Sequence, residues 1–425
     1  MKITIHRGIN QIGGCITEIA TETSKVLIDL GHNLPKGNSS SDDSMANKTS
    51  IEKVTENCNA IFYTHYHGDH VDLFKYVPDT VEQYIGCVAK EVMQCKCNWL
   101  SKIKNNPPIT TNDLDKLALF KTFKILQKVP IGNDIIVIPF MVNHSAGDAY
   151  MFLIEAGEKR VLHTGDFREH GYTSKIIETI EKYVIKQPID VLITEGTMLS
   201  RMKEEVPSER NLMIKAEALM SEKKYVFVLC SSTDIDRLAT FYNASINRKR
   251  SFLCDKYQKE VLDIFSKNNG QRSHFFNFKN VYPYIHGYAE QFNTIKNKGF
   301  CMLVRHKHIQ QINELLLELP EKDVYFIYSM WHGYLKGENE KQEYLDLWNL
   351  FDYEHKEKLH TSGHASPSTL AKVCNLINPT TAIIPIHSEF SENFTKLDIK
   401  EELKERIVLD SCIRNNIQFI INGKH

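Results

Sequence analysis

The chain has 425 residues, 42% of them hydrophobic, which is enough to bury a large core and long enough for two domains or for one domain carrying a large insertion. Its formal net charge is -1 and its pI about 7.0, so no global basic field draws nucleic acid and any polyanion site has to be local; the balance neither supports nor excludes RNA or DNA. The strand-like start MKITIHRGINQIGG lacks the apolar stretch of a secretory signal, no run approaches a membrane span, and ten cysteines without a CxxC pair read as reduced thiols of a cytoplasmic protein without a membrane partner.

Six short apolar runs rich in β-branched or aromatic residues end abruptly in polar or small residues, as buried strands of an α/β sheet do. In chain order they are AIFYTHYHGDH (60–70), IIVIPFMVNHS (135–145), RVLHTGDF (160–167), DVLITEGT (190–197), YVFVLCSST (225–233) and AIIPIHSE (382–389). Each carries its chemically interesting residue at the C-terminal end, where α/β folds place binding and catalytic groups. The polar stretch KGNSSSDDSMANKTS (36–50) predicts a long surface loop in a position to border the site. Cys95-Lys96-Cys97 reads as two thiols on a helix rather than a metal pair. Residues 221–310 hold 15 Lys and Arg against 7 Asp and Glu, and residues 311–357 hold 4 against 11. That shift reads as a separate middle domain with one basic face, with ordinary solvated helix faces as the plainer explanation.

His65, His67, Asp69 and His70 stand within six residues, directly after the run AIFYT and before an expected helix VDLFKYV. A strand end places His65 and His67 on one side, and the turn into the helix brings Asp69 and His70 to a neighbouring position, which suits two adjacent metal sites better than one. Imidazole and carboxylate are the ligands Zn²⁺ takes in catalytic sites. A lone histidine is more often structural; four potential ligands at this spacing reverse that expectation. Two sites need further ligands from distant strand ends, and His144, Asp166 and His387 fit. Asp166, with two carboxylate oxygens, can serve both ions. Asp29, at the end of KVLIDLG, is expected to accept a hydrogen bond that fixes a ligand imidazole from behind.

These residues resemble the metallo-β-lactamase superfamily, whose HxHxDH signature stands here as THYHGDH. The resemblance extends to the β-CASP nucleases: their motif A acid looks like Glu195 in ITEGT, their motif B histidine like His364 in HTSGHAS and their motif C histidine like His387 in PIHSE, in the order and spacing of the ribonuclease J branch. It implies an α/β fold, a metallo-β-lactamase αββα sandwich from residues 1–200 and 358–425, with a β-CASP α/β domain inserted at 201–357. It implies two Zn²⁺ ions, Mn²⁺ being the alternative: one held by His65, His67 and His144, the other by Asp69, His70 and His387, with Asp166 between them. It implies hydrolysis of a phosphodiester by a metal-bound hydroxide, with Asp69 and Asp166 in the catalytic centre, His364 protonating the departing oxygen or stabilising its charge, and Glu195 orienting that imidazole.

In the family a motif C histidine is typical of RNA-processing members, so His387 tilts the expected partner towards single-stranded RNA. A DNA nuclease of the same fold and a small-molecule hydrolase acting on a thioester, lactone or lactam are the alternatives, the latter leaving Glu195 and His364 without a purpose. The chain ends 38 residues after His387, so the additional C-terminal domain of ribonuclease J is expected to be missing. Endonuclease or 5′-exonuclease action, and oligomeric state, a homodimer included, stay open.

Around motif B, Ser366 is a good N-cap and Pro367 suits a first helical position, so His364 precedes a helix N-terminus whose free amides favour an anion; Ser362, Gly363 and Ser366 are the candidate phosphate contacts there. The segment CSSTDIDRLATFYN offers Ser231, Ser232, Thr233 and Arg237 and resembles the phosphate-contacting turn of ribonuclease J, but with Asp234 and Asp236 where that family has Asn and His, and acids there repel a polyanion. Phe275, Phe276, Phe278, Tyr282, Tyr284 and Tyr288, interleaved with Lys279 and His286, are expected to build core rather than to stack on bases. His32, His163 and His332 are read as structural or as supporting the ligands from behind.

Overall fold

The computed structural model describes residues 1–34, 43–271 and 273–422, and three sheets organise them. The first has eight strands in the order Cys412–Arg414, Ile417–Ile421, Lys2–Arg7, Ile16–Ala20, Lys25–Ile28, Ala60–Phe62, Glu82–Ile85 and Lys121–Thr122. The second has six, in the order Ala382–Ile386, Val191–Glu195, Lys159–His163, Ala149–Ala156, Ile135–Val142 and Val129–Ile131. Alternate side chains of these strands point to opposite faces. Ile3, Ile19, Val26, Ile28 and Phe62 of the first sheet therefore meet Val137, Phe152, Val161, Ile193 and Ile384 of the second in one buried core. Their neighbours Leu27, Ile61, Leu162 and Leu192 face outward into a core shared with Val88 and Val92 of helix Cys87–Leu100 and Leu370 and Val373 of helix Pro367–Ile377. The result is the αββα sandwich expected from the motifs. Helices on the outer side explain why Val191–Glu195 is buried at every position and reads as an unbroken apolar run.

The third sheet has six parallel strands in the order Val281–Pro283, Ser251–Cys254, Phe300–Leu303, Tyr225–Cys230, Val324–Ser329 and Lys356–Lys358. It lies between strands Val191–Glu195 and Ala382–Ile386, which pair directly with each other in parallel, so the chain leaves the second sheet, builds the third and returns to the neighbouring position. The expected boundaries at 201 and 357 fall at the end of the helical turn Thr197–Arg201 and inside the last strand of the third sheet. The two units are joined where helix Lys256–Asn268 packs on helix Cys87–Leu100, with Trp99 Nε1 donating to Glu260 Oε2 at 2.8 Å. No helix among the described residues is long and apolar enough to cross a membrane.

Some expectations change. Residues 36–42 of the expected loop lie outside the described residues, and its end is helical: Lys48–Val54 begins there, with the Asn47 side chain accepting from the Ser50 amide. The expected helix VDLFKYV is a short α-turn, Gly68–Val71, continued by a 3₁₀ segment, Asp72–Tyr76. Of the middle-domain aromatics, Phe276 and Phe278 are core, but Tyr282 is 53% and Tyr288 49% exposed. Tyr282 sits on the edge strand of the third sheet and Tyr288 caps the next helix, so neither is covered by a second layer.

Candidate metal centre

Strand Ala60–Phe62 delivers the histidine run to the end of the first sheet. His65 Nε2 lies 3.0 Å from His67 Nδ1, and His144 Nε2 lies 3.2 Å from that same atom. His144 stands two residues beyond strand Ile135–Val142, and its Nδ1 is fixed 2.7 Å from the Gly363 carbonyl, which turns Nε2 inward. Asp166, three residues beyond strand Lys159–His163, is the hub: its Oδ2 is 3.1 Å from His70 Nε2, 3.6 Å from His387 Nε2 and 3.9 Å from His144 Nε2. Asp69 Oδ2 is 3.1 Å from His387 Nε2. The structure thus gathers all seven expected ligands, with Asp166 between the His65, His67 and His144 group and the Asp69, His70 and His387 group.

The electrostatics of this cluster are those of a cation site. Burial holds His65 and His144 well below the usual imidazole range and brings His67 down to about 4, so all three are neutral at pH 7. Burial would raise the Asp166 carboxyl, but the imidazoles of His387, His70 and His364 outweigh it and hold the group well below its ordinary value. Against burial, which lowers both rings, the carboxylates raise His70 well above and His364 above the usual imidazole range, so the protons these rings keep offset the two carboxylates, and a cation among the inward-facing donors would take their place. His70 Nε2 points into the cluster, buried and facing Asp166 Oδ2 at 3.1 Å. These donors fit divalent metal ions, each three-imidazole or mixed carboxylate–imidazole group leaving positions open for water.

Asp29 stands behind the ligands as expected from its place in the sequence. Its Oδ1 accepts from the Thr64 amide at 2.7 Å, its Oδ2 from the Thr64 hydroxyl at 2.8 Å, and Oδ2 lies 2.7 Å from His70 Nδ1. Both Asp29 (φ 61°) and His387 (φ 50°) adopt the left-handed region that costs non-glycine residues energy, a kind of strain that clusters at functional sites. Gly31 is required here: a Cβ would lie 1.6 Å from the Asp69 carbonyl oxygen. Asp29→Ala is expected to lower metal affinity by roughly 10- to 100-fold with the fold retained, as loss of an outer partner of a ligand histidine does. Chelator competition measures this, and unchanged affinity would show that Thr64 alone orients the ring.

Motifs B and C converge on one hydroxyl that the sequence reading did not single out. Thr197 Oγ1 lies 2.8 Å from His387 Nδ1 and 3.2 Å from His364 Nδ1. Its signal was its position two residues beyond Glu195 at the same strand end. Glu195 Oε1 accepts from the amides of Phe167 and Ala365, each at 3.1 Å, and its Oε2 lies 3.2 Å from His364 Nδ1. Burial would lower His364, but Glu195 and Asp166 outweigh it and raise the imidazole, so it tends to keep its proton. The His364 side chain is 20% exposed while that of His387 is 1%, so His364 is the group on the open side.

The candidate phosphate contacts divide. Ser366 caps helix Pro367–Ile377, accepting from the Thr369 amide at 3.2 Å, and with Ser368 and Thr369 it borders a cavity of about 620 Å³. Ser362 is inward: its Oγ accepts from the His364 amide and its carbonyl from Arg168 and His170, while the Gly363 carbonyl serves His144. The half-buried turn Ser231, Ser232 and Thr233 is carried to the site by Tyr66, whose hydroxyl donates to the Thr233 carbonyl at 2.7 Å. Arg237 is a correction. It is 1% exposed and spends its guanidinium on Glu209, Ser329 and the Thr361 carbonyl, so it does not reach a phosphate. Asp234 and Asp236 also turn inward, towards Arg168, which removes the expected repulsion of a polyanion. His163 is fully buried, in keeping with a structural role.

A family model described as a β-lactamase superfamily domain matches residues 26–228. Ribonuclease J of Mycoplasma genitalium is 24% identical over 427 aligned positions, covering 94% of this chain and 70% of that protein. Ribonuclease J of Mycoplasma pneumoniae is 23% identical, with 94% and 70% covered, and that of Helicobacter pylori 22% identical, with 92% and 56% covered. A crystal structure of a protein of unknown function from Enterococcus faecalis V583 superposes with a TM-score of 0.69 at 19% identity, over 92% of this chain and 95% of that one, and so shares the fold. The similarity to these ribonucleases J covers both units, and it marks the chain as ribonuclease J-like, with a β-lactamase superfamily domain matched over residues 26–228.

Proposed function

We propose that this protein is a metal-dependent ribonuclease that hydrolyses phosphodiester bonds of single-stranded RNA at a centre for two divalent ions, zinc ahead of manganese. The observation that carries the reading is His364, held 3.2 Å from Glu195 and 3.6 Å from Asp166 at the open edge of the two ligand groups. A thiolate leaving from a thioester asks little of such a group; expelling an alkoxide from a phosphodiester asks for a proton donor beside the metals. The ribonuclease J relatives support RNA over DNA.

His65, His67 and His144 would hold one ion and Asp69, His70 and His387 the other, with Asp166 shared. Bound there, the pair supplies Lewis acidity and an activated water. The chain's own residues do the positioning. Asp29 aims His70, Thr197 aims His387 and the Gly363 carbonyl aims His144. Glu195, pinned by two amides, holds His364 Nδ1, which leaves Nε2 to deliver a proton to the departing oxygen.

Digestion of matched RNA carrying a 5′-monophosphate, 5′-triphosphate or 5′-hydroxyl, beside DNA of the same sequence, with zinc or manganese, tests the reading. RNA cleavage that stops on chelation and returns with metal is expected. Mononucleotide products would mark 5′-exonuclease action and internal fragments endonuclease action. Cleavage of DNA alone would overturn the RNA assignment, and hydrolysis of thioesters or lactones with both polymers intact would overturn the nuclease.

A further inference from the structure

Among the described residues, one cluster of possible ligands contains a thiol: Cys15, His70 and His387, whose ligand atoms all lie within 4.8 Å of one another. Cys15 is 1% exposed and follows the paired glycines Gly13 and Gly14, immediately before strand Ile16–Ala20. Main-chain bonds fix its place relative to the site. The Cys15 amide donates to the Asp69 carbonyl at 3.1 Å, and the Cys15 carbonyl accepts from the Gly31 amide at 3.1 Å, two residues past Asp29. On the other arm of the same loop, the Gly8 carbonyl accepts from the His387 amide at 2.7 Å. The segment from Gly8 to Cys15 is therefore tied to both stretches of chain that carry Asp69, His70 and His387. Gly8 also leaves room for the sulfur: φ is +116°, and a Cβ there would meet Cys15 Sγ at 3.1 Å. Independently of the thiol, His70 Nε2 is buried and aimed into the cluster, facing Asp166 Oδ2 at 3.1 Å, so the donors of this corner converge on one small space.

We propose that Cys15 is a further protein ligand, through Sγ, of the ion held by Asp69, His70 and His387 with Asp166 shared. The inference rests on the two-metal reading above. Coordination replaces the S–H bond by a sulfur–metal bond and releases the proton to water. The three-imidazole group has no such donor, so the two positions differ in softness. Thiolate favours zinc, whereas oxygen ligands suit manganese. The Cys15 side is thereby the zinc-selective one, and the His65, His67 and His144 side the more permissive one.

Cobalt substitution tests this without reference to catalysis. The protein loaded with Co²⁺ is expected to show near-ultraviolet thiolate-to-cobalt charge-transfer absorption at two cobalt ions per chain, and Cys15→Ser, nearly the same size, is expected to lose it. The same substitution should weaken zinc at one of the two positions by at least as much as losing an outer partner does, roughly tenfold or more, while manganese binding holds. X-ray absorption of the zinc-loaded wild-type protein, which needs no variant, should find sulfur at about 2.3 Å from zinc. Two cobalt ions bound without the band, a band that survives in Cys15→Ser, or zinc without sulfur would overturn the role of Cys15 and leave the two-metal reading standing. A protein that binds neither cobalt nor zinc would overturn both.

Discussion

His364→Ala is expected to lower RNA cleavage by roughly 10²- to 10⁴-fold, the range a positioned general acid contributes, while the protein keeps two metal ions per chain. The separation of the two readouts follows from geometry. His364 is outside both three-ligand groups, yet its Nδ1 lies 3.6 Å from Asp166, and His144, Asp166 and His364 are themselves near enough to hold an ion. If His364 were a ligand, alanine would remove metal and activity together. Its Nδ1 is already engaged by Glu195 at 3.2 Å and Thr197 at 3.2 Å, which favours a proton carrier over a ligand. Elemental analysis of the purified variant beside its single-turnover cleavage rate decides. Loss of one ion per chain would make His364 a ligand, and normal cleavage would remove it from the reaction.

The parts of this site that could be read from the sequence are those whose meaning is local or whose partners announce themselves by residue type. His65 to His70 crowd four ligands into one strand end, and His144, Asp166 and His387 each close an apolar run, so their convergence follows from α/β topology. Thr197 and Cys15 were not legible, because a hydroxyl or a thiol at a strand end means nothing until its partner is known, and His387 stands 190 residues after Thr197. Arg237 was legible in the wrong sense. An arginine in the first turn after a strand looks the same whether it faces a phosphate or a buried acid, and the acid here, Glu209, belongs to a different helix, Glu209–Glu222. The inward turn of Asp234 and Asp236 was hidden for the same reason: their partner Arg168 comes from the second sheet's loops. In the fold, long apolar runs were recoverable, whereas the two-residue strand Lys121–Thr122 is defined only by its neighbour Glu82–Ile85.

That buried network sets the other large expected effect: Glu209→Ala should destabilise the protein by about 3–5 kcal/mol, the usual consequence of removing one partner of a buried ion pair. Arg168 is 0% and Arg237 1% exposed, and Glu209 serves both, its Oε1 lying 3.1 Å from Arg168 Nη1 and 3.0 Å from Arg237 Nη2. Arg168 also donates to Asn143, the neighbour of His144, and to the Ser362 carbonyl, two residues before His364; Arg237 donates to the Thr361 carbonyl. Glu209 therefore neutralises the joint between the second sheet, the inserted unit and the segment carrying motif B. Burial would raise its carboxyl, but Arg237 and Arg168 outweigh burial and bring it from 4.5 down to about 2. A lowered carboxyl stabilises above its unfolded value and loses that contribution as pH falls through its folded one. The gap in denaturant midpoint between wild type and Glu209→Gln should accordingly hold from neutral pH to about 4.5 and close towards about 2. Because Thr361 and Ser362 lead into His364, cleavage by the folded fraction of Glu209→Ala should also drop. A wild-type midpoint in Glu209→Ala would mean that Asp234 and Asp236 suffice for both guanidiniums, and that the joint between the two units is held elsewhere.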